Sequence, residues 1–186
     1  MAKSPKSALV IVGDGVEEME AVAPIDLLRR AGVTVTVASI TKHRLVTGRN
    51  GIAIQADRLM EDVSDPFDAI IIPGGPGIKE VRAESKVIEL LKEQARAGRL
   101  IAAICAAPTV LLDAGLLDGR RYTAHFGVAE ELPDIMEDAP VVIDGNIVTS
   151  RGAGTALDFG LTLVELLCSD STADEVASSI CVPEQV

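Results

Sequence analysis

The chain has 186 residues, enough for one domain with a sizeable core; 48% of them are hydrophobic and only 2% aromatic. Its formal net charge of −11 argues against nucleic acid or an anionic membrane surface as a default partner, because neutralising phosphates takes clustered cations. Three cysteines are too few, and odd in number, for a disulfide framework, and no apolar stretch approaches the length of a membrane span.

The first element is a short apolar strand, Ala8 to Val12, ended by Gly13-Asp14-Gly15. The preceding Met-Ala-Lys-Ser-Pro-Lys lacks the apolar region of a secretory leader, so a cytoplasmic protein with reduced thiols is expected. Glu17 to Arg30 has helical spacing, with Ala21, Ile25 and Leu28 on one side and Gly32 as its stop. Val33 to Ile40 reads as a second strand. Between Leu45 and Ala56, Asn50-Gly51 predicts a tight hairpin turn. Ala69 to Ile72 is a wholly apolar strand, closed by Pro73-Gly74-Gly75-Pro76-Gly77. A helix over Ser85 to Ala97 and a buried strand over Leu100 to Ile104 follow. Pro108 opens a helix, Asp144-Gly145-Asn146 turns a second hairpin, and helices are expected over Thr155 to Leu167 and Ala173 to Ile180.

Strands alternating with helices predict an α/β fold with a mostly parallel sheet and helices on both faces. Sites in such folds form at the carboxyl ends of the strands. That rule places the loops 13–20, 73–77 and 105–108 on one rim.

Cys105 lies between the apolar run Ile101-Ala-Ala-Ile104 and Ala106-Ala107-Pro108. A lone cysteine after a buried strand is more often an inert core residue. Small neighbours on both sides and a proline fit for a first helical turn indicate instead a sharp strand-to-helix elbow. A helix N-terminus there favours thiolate. Gly74 and Gly75 free backbone N–H groups after a strand, and Gly75 with Ala106 suits an oxyanion hole. In the cluster Glu17-Glu18-Met19-Glu20, the helix dipole accounts for most of the acidity; one of these carboxyls on the rim is within reach of the thiol. Of the two histidines, His43 sits in a polar, exposed stretch, which leaves His125 as the candidate partner for Cys105; spacing alone does not bring the two together, and a lone His in such a segment is more often a satisfied structural residue. No ligand spacing suggests a metal, Gly13-Asp14-Gly15 lacks the form of a dinucleotide fingerprint, and no cofactor is implied.

Four runs together, Gly15-Val-Glu-Glu-Met-Glu20, Ile72-Pro-Gly-Gly75, Ala102-Ala-Ile-Cys-Ala-Ala-Pro108 and Thr149-Ser-Arg-Gly-Ala-Gly-Thr155, resemble the ThiJ/PfpI superfamily, in its DJ-one/YajL branch. The resemblance covers Ala8 to about Ile180. It implies a flavodoxin-like three-layer sandwich and a homodimer. It makes Cys105 a nucleophile sensitive to oxidation and Glu20 the carboxylic acid bonded to it. It places Glu17 and Gly74 beside the pocket, gives Gly75 and Ala106 the oxyanion N–H groups, and makes His125 an acid or base. The chain departs from the pattern at Thr47-Gly48-Arg49-Asn50, where Cys-Ser-Arg is usual and where Arg49 is the candidate to reach across a dimer. Ala153 stands in place of a usual proline, and the segment after His125 is short. Cys168 and Cys181 read as packing residues.

The expected activity is that of a glutathione-independent glyoxalase or deglycase acting on methylglyoxal, glyoxal or their early protein adducts. A redox sensor or chaperone working through oxidation of Cys105 is the alternative, and a protease or amidase the third. The expected partners are thus a small dicarbonyl or a glycated protein and a second copy of the chain.

Overall fold

The computed structural model describes residues 5–183. β1 (Ser7–Val12), β2 (Thr34–Ser39), β5 (Arg58–Leu59), β6 (Ala69–Ile72), β7 (Leu100–Ile104), β8 (Val141–Asp144) and β9 (Ile147–Ser150) form one sheet in the order β5-β2-β1-β6-β7-β9-β8. Every neighbouring pair is parallel except β8 and β9, which form the hairpin turned by Gly145. β3 (Leu45–Thr47) and β4 (Ala53–Gln55) make a separate antiparallel hairpin through Asn50-Gly51.

Helices α1 (Glu18–Arg30), α5 (Ala156–Leu167) and α6 (Asp170–Ser179) cover one face of the sheet. Here Val10, Val12 and Ile71 pack with Leu27, Leu28, Phe159 and Leu163. Helices α2 (Ile78–Ala83), α3 (Ser85–Arg96) and α4 (Pro108–Asp113) cover the other, where Leu9, Ile11, Ile70 and Ile72 meet Val87, Leu91 and Leu111. Successive strand residues point to opposite faces, and both faces are buried, which is why β6 reads Ala-Ile-Ile-Ile without alternation. Each Leu or Ile so buried contributes about 1.5–3 kcal/mol. The result is the flavodoxin-like three-layer sandwich.

β2 flanks β1 on one side and β6 on the other, so the winding direction reverses there and the loops after β1 and β6 diverge. This opens the crevice at the carboxyl ends of the strands. Glu17 N donates to Gly74 O at 3.0 Å and Gly77 N to Gly15 O at 3.2 Å, fastening the two loops together. α1 is held in place by close packing on α5. A Cβ on Gly160 would lie 2.5 Å from Leu27 Cδ1 and 3.2 Å from Pro24 Cα, so a side chain there would swing Leu27 aside and push the helices slightly apart.

Several features differ from the sequence expectation. α2 and the two-residue edge strand β5 lie outside the expected elements. α6 begins at Asp170, three residues early, because Ser169 Oγ accepts from Thr172 N and caps it. Cys168 and Cys181 are exposed rather than packed, the first capping α5 and the second just past α6. Among the described residues no helix is long and apolar enough to cross a membrane.

Candidate active site

Cys105 follows β7 directly, with φ of +65°. A left-handed backbone costs a residue with a side chain about 1–2 kcal/mol, and two bonds fix it there. Cys105 N donates to Ser150 O at 2.9 Å, and His125 N donates to Cys105 O at 2.9 Å. Pro108 occupies the start of α4. The strand thus turns into the helix at the elbow expected from the small residues around Cys105.

Gly74 sits against this elbow. A Cβ on Gly74 would lie 2.8 Å from Cys105 Cβ, 2.9 Å from Glu20 Oε2 and 3.0 Å from Ala106 N. The missing side chain is what lets the Glu20 carboxyl come between the two loops. Glu20, 1% exposed in the first turn of α1, accepts Gly74 N–H at 2.9 Å. The N–H of Gly74 is therefore used on the carboxyl, while those of Gly75 and Ala106 face the Cys105 thiol. Gly75 has φ of +106°, a conformation glycine adopts readily.

Glu17 is near enough for its charge to raise the Glu20 carboxyl. It is buried as the N-cap of α1, its Oε2 accepting Glu20 N–H at 2.9 Å. Glu18 turns the other way and accepts from Asn50 N at 2.7 Å and Asn50 Nδ2 at 2.9 Å, locking the β3–β4 hairpin onto α1. Burial opposes its ionisation, but these bonds outweigh it and hold the carboxyl below its ordinary range. The three glutamates thus divide into a cap, a lock and a group beside the thiol.

Burial is the largest influence on Glu20 and lifts its carboxyl from 4.5 to about 7, against the hydrogen bonds of Cys105 and Gly74. Burial also pushes the Cys105 thiol up to about 12, followed by the charge of Glu20; the N–H groups of Ala106 and Gly75 oppose this. Two adjacent buried groups resist ionising together, so the pair gains one negative charge, on Glu20, as pH rises through about 7. This corrects the expectation of a simply lowered thiol. With Glu20 ionised the thiol keeps its proton, and the thiolate forms as the carboxyl takes that proton.

His125 reaches the site mainly through its backbone. Its Nδ1 accepts from Gly127 N at 3.0 Å, which in the neutral ring leaves the proton on Nε2. No hydrogen bond joins its ring to the thiol among the described residues. Ring, thiol and carboxyl nevertheless converge around Gly152. The position of a Cβ there is 3.6 Å from His125 Cδ2, 3.9 Å from Glu20 Oε1 and 4.0 Å from Cys105 Sγ. Gly152 lies inside the run Thr149 to Thr155, and its signal in the sequence is only that of a glycine after a strand on the same rim. A cavity of about 530 Å³ opens beside it, lined by His125, Phe126, Arg151 and Gly152 among others. Arg49 is near enough for its charge to lower Glu20 within one chain.

An α/β sandwich with a cysteine elbow, a buried glutamate beside it and glycine turns closing the crevice defines a class of protein. Residues 6–166 match the model of the DJ-1/PfpI family, and the chain belongs to that family. It is 42% identical over 182 residues to protein dj-1beta of Drosophila melanogaster, covering 95% of this chain and 97% of that one. The crystal structure of Drosophila DJ-1beta superposes with a TM-score of 0.93, covering 96% of this chain and 99% of that one. A protein of Pyrococcus abyssi named a deglycase is 36% identical over 163 residues, covering 86% of this chain and 98% of that one. Oxidised DJ-1 of Toxoplasma gondii, 36% identical, superposes with a TM-score of 0.90 over 94% of this chain and 97% of that one.

Proposed function

We propose that the protein is a cysteine-dependent glyoxalase or deglycase acting on methylglyoxal, glyoxal or their early protein adducts without glutathione. The observation that carries this reading is the placement of the Glu20 carboxyl, 1% exposed and bonded to Gly74 N–H at 2.9 Å, beside the Cys105 elbow, with the N–H groups of Gly75 and Ala106 on the same crevice. The deglycase name of the Pyrococcus abyssi relative supports it.

The chemistry follows from the arrangement. The thiol proton passes to Glu20 as sulfur attacks the aldehyde carbon. A C–S bond forms and the carbonyl pair moves onto oxygen, toward the N–H groups of Gly75 and Ala106. The hydrogen on that carbon leaves as a proton and returns at the neighbouring carbonyl carbon, closing a thioester. Water then hydrolyses the thioester, releasing a 2-hydroxyacid and restoring the thiol. The sequence adds one water and needs no external oxidant or reductant. Glu20 is the proton carrier beside the sulfur, and His125 offers a second through Nε2. The test is lactate production from methylglyoxal without glutathione, abolished in Cys105→Ser; full activity in that variant would refute the mechanism.

A second reading, a redox sensor or chaperone, draws on the same cradle. A sulfinate on Cys105 would accept from the N–H groups of Gly75 and Ala106 and from protonated Glu20. The oxidised state of the Toxoplasma gondii relative favours it. Intact-mass spectra after mild peroxide test it, and absence of added oxygen on Cys105 rejects it. A protease or amidase fits less well, since His125 Nδ1 is occupied by Gly127.

We also propose a homodimer. Met19, Val22, Ile52 and Leu157 are exposed side by side around a depression of about 660 Å³ next to the Gly154 end of the crevice. Contiguous apolar surface of this kind marks an interface. A second copy fits it because Glu18 fixes the hairpin carrying Ile52 against α1, making the face rigid.

A further inference from the structure

The chain has three Phe, one Tyr and no Trp. Phe159 and Phe67 are buried in the two halves of the core, whereas Phe126 is 70% exposed. Exposing a large ring gives up the burial such a side chain usually gains, and here the ring stands on the wall of the cavity that Gly152 also lines, where a Cβ on Gly152 would lie 4.0 Å from Cys105 Sγ. Its position is set. The Phe126 and His125 rings lie 4.1 Å apart between centroids, tilted by 32°. His125 is tied by Nδ1 to Gly127 N and by its backbone N to Cys105 O. The aromatic face is thus held one residue from the group bonded to the nucleophile's own backbone.

The cavity suggests the occupant. Its volume of about 530 Å³ falls in the range of pockets for sizeable small molecules, about 300–1,000 Å³, far beyond what methylglyoxal fills. Aromatic rings prefer offset or edge contacts with other rings, and His125 supplies one partner while leaving the outer face of Phe126 open.

We propose that Phe126 is a stacking shelf that selects dicarbonyls carrying an aryl or other flat apolar substituent, an inference that rests on the glyoxalase reading above. The aldehyde carbon meets Cys105 while the substituent lies along Phe126.

Two measurements test it. The first is the ratio of kcat/KM for phenylglyoxal to that for methylglyoxal in wild type, Phe126→Ala and Phe126→Tyr. The ratio is expected to fall about fivefold in Phe126→Ala and to survive in Phe126→Tyr. The second is independent of turnover: the rates at which N-benzyl and N-methyl iodoacetamide alkylate Cys105, followed by peptide mass spectrometry. There sulfur displaces iodide and the thiol proton leaves to solvent. The benzyl preference should drop by a similar factor in Phe126→Ala. Turnover with both ratios unchanged by the substitution overturns the shelf alone. Absence of turnover, with a benzyl preference that Phe126→Ala removes, overturns the glyoxalase reading and supports the shelf.

Discussion

Gly74 gives its N–H to Glu20 Oε2 at 2.9 Å, and the carboxyl that accepts it is only 1% exposed. One bond holds a titrating acid in the interior next to a thiol. Glu20 has a folded value of about 7 against an ordinary 4.5. The folded chain therefore binds more protons between these values than the unfolded chain. Its contribution to stability is complete below about 4.5 and is lost as pH rises through about 7. The loss is on the order of 3 kcal/mol. Urea unfolding at pH 5 and pH 8 should show wild type weakening by that order relative to Glu20→Gln. Parallel stabilities of the two proteins would contradict the raised carboxyl.

Gly74→Ala should disturb the same junction from the other side. Its Cβ would press to 2.8 Å from Cys105 Cβ and 3.0 Å from Ala106 N, and backbone must give way. A destabilisation of about 1–3 kcal/mol is expected by thermal unfolding.

Gly152→Ala is the contrasting case. Its Cβ would meet His125, Glu20 and Cys105 at 3.6–4.0 Å, ordinary contact distances. Stability should fall by less than in Gly74→Ala, by about 1 kcal/mol or less. The methyl would nevertheless occupy the space where a reacting carbon approaches the sulfur, so alkylation of Cys105 by iodoacetamide should slow about tenfold or more. Unchanged alkylation would show that reagents reach the thiol by another route.

The apolar face of Met19, Val22 and Leu157 yields a separate prediction. Met19→Glu with Leu157→Glu places charges where a second copy would bury them, and sedimentation should show the dimer giving way to monomer. A wild-type chain already monomeric at micromolar concentration would refute the interface.

Much of this architecture is legible in the sequence, for physical reasons. Ala69–Ile72 and Leu100–Ile104 are recognisable because a strand buried on both faces cannot alternate. Asn50-Gly51 marks its hairpin because its turn needs a positive φ, here +83° at Gly51. α2 is harder to see: it has six residues and only Val81 is buried, too little for a helical period. In the site, the elbow at Cys105 announces itself through its small neighbours. The division of labour among Glu17, Glu18 and Glu20 does not, because it depends on which way each carboxyl turns from one helix start. The direction of the thiol's proton affinity was equally hidden, since burial and the neighbouring charge of Glu20 exist only once the three loops meet. Gly152 shows its role only through the atoms around it.

The most direct measurement is carbon-13 NMR of the protein mixed with methylglyoxal labelled at the aldehyde carbon, with no glutathione present. Label is expected to pass through a carbon bonded to Cys105 sulfur and to emerge in the carboxyl of lactate, and Cys105→Ser should yield neither signal. Labelled lactate formed at the wild-type rate by Cys105→Ser would contradict this route.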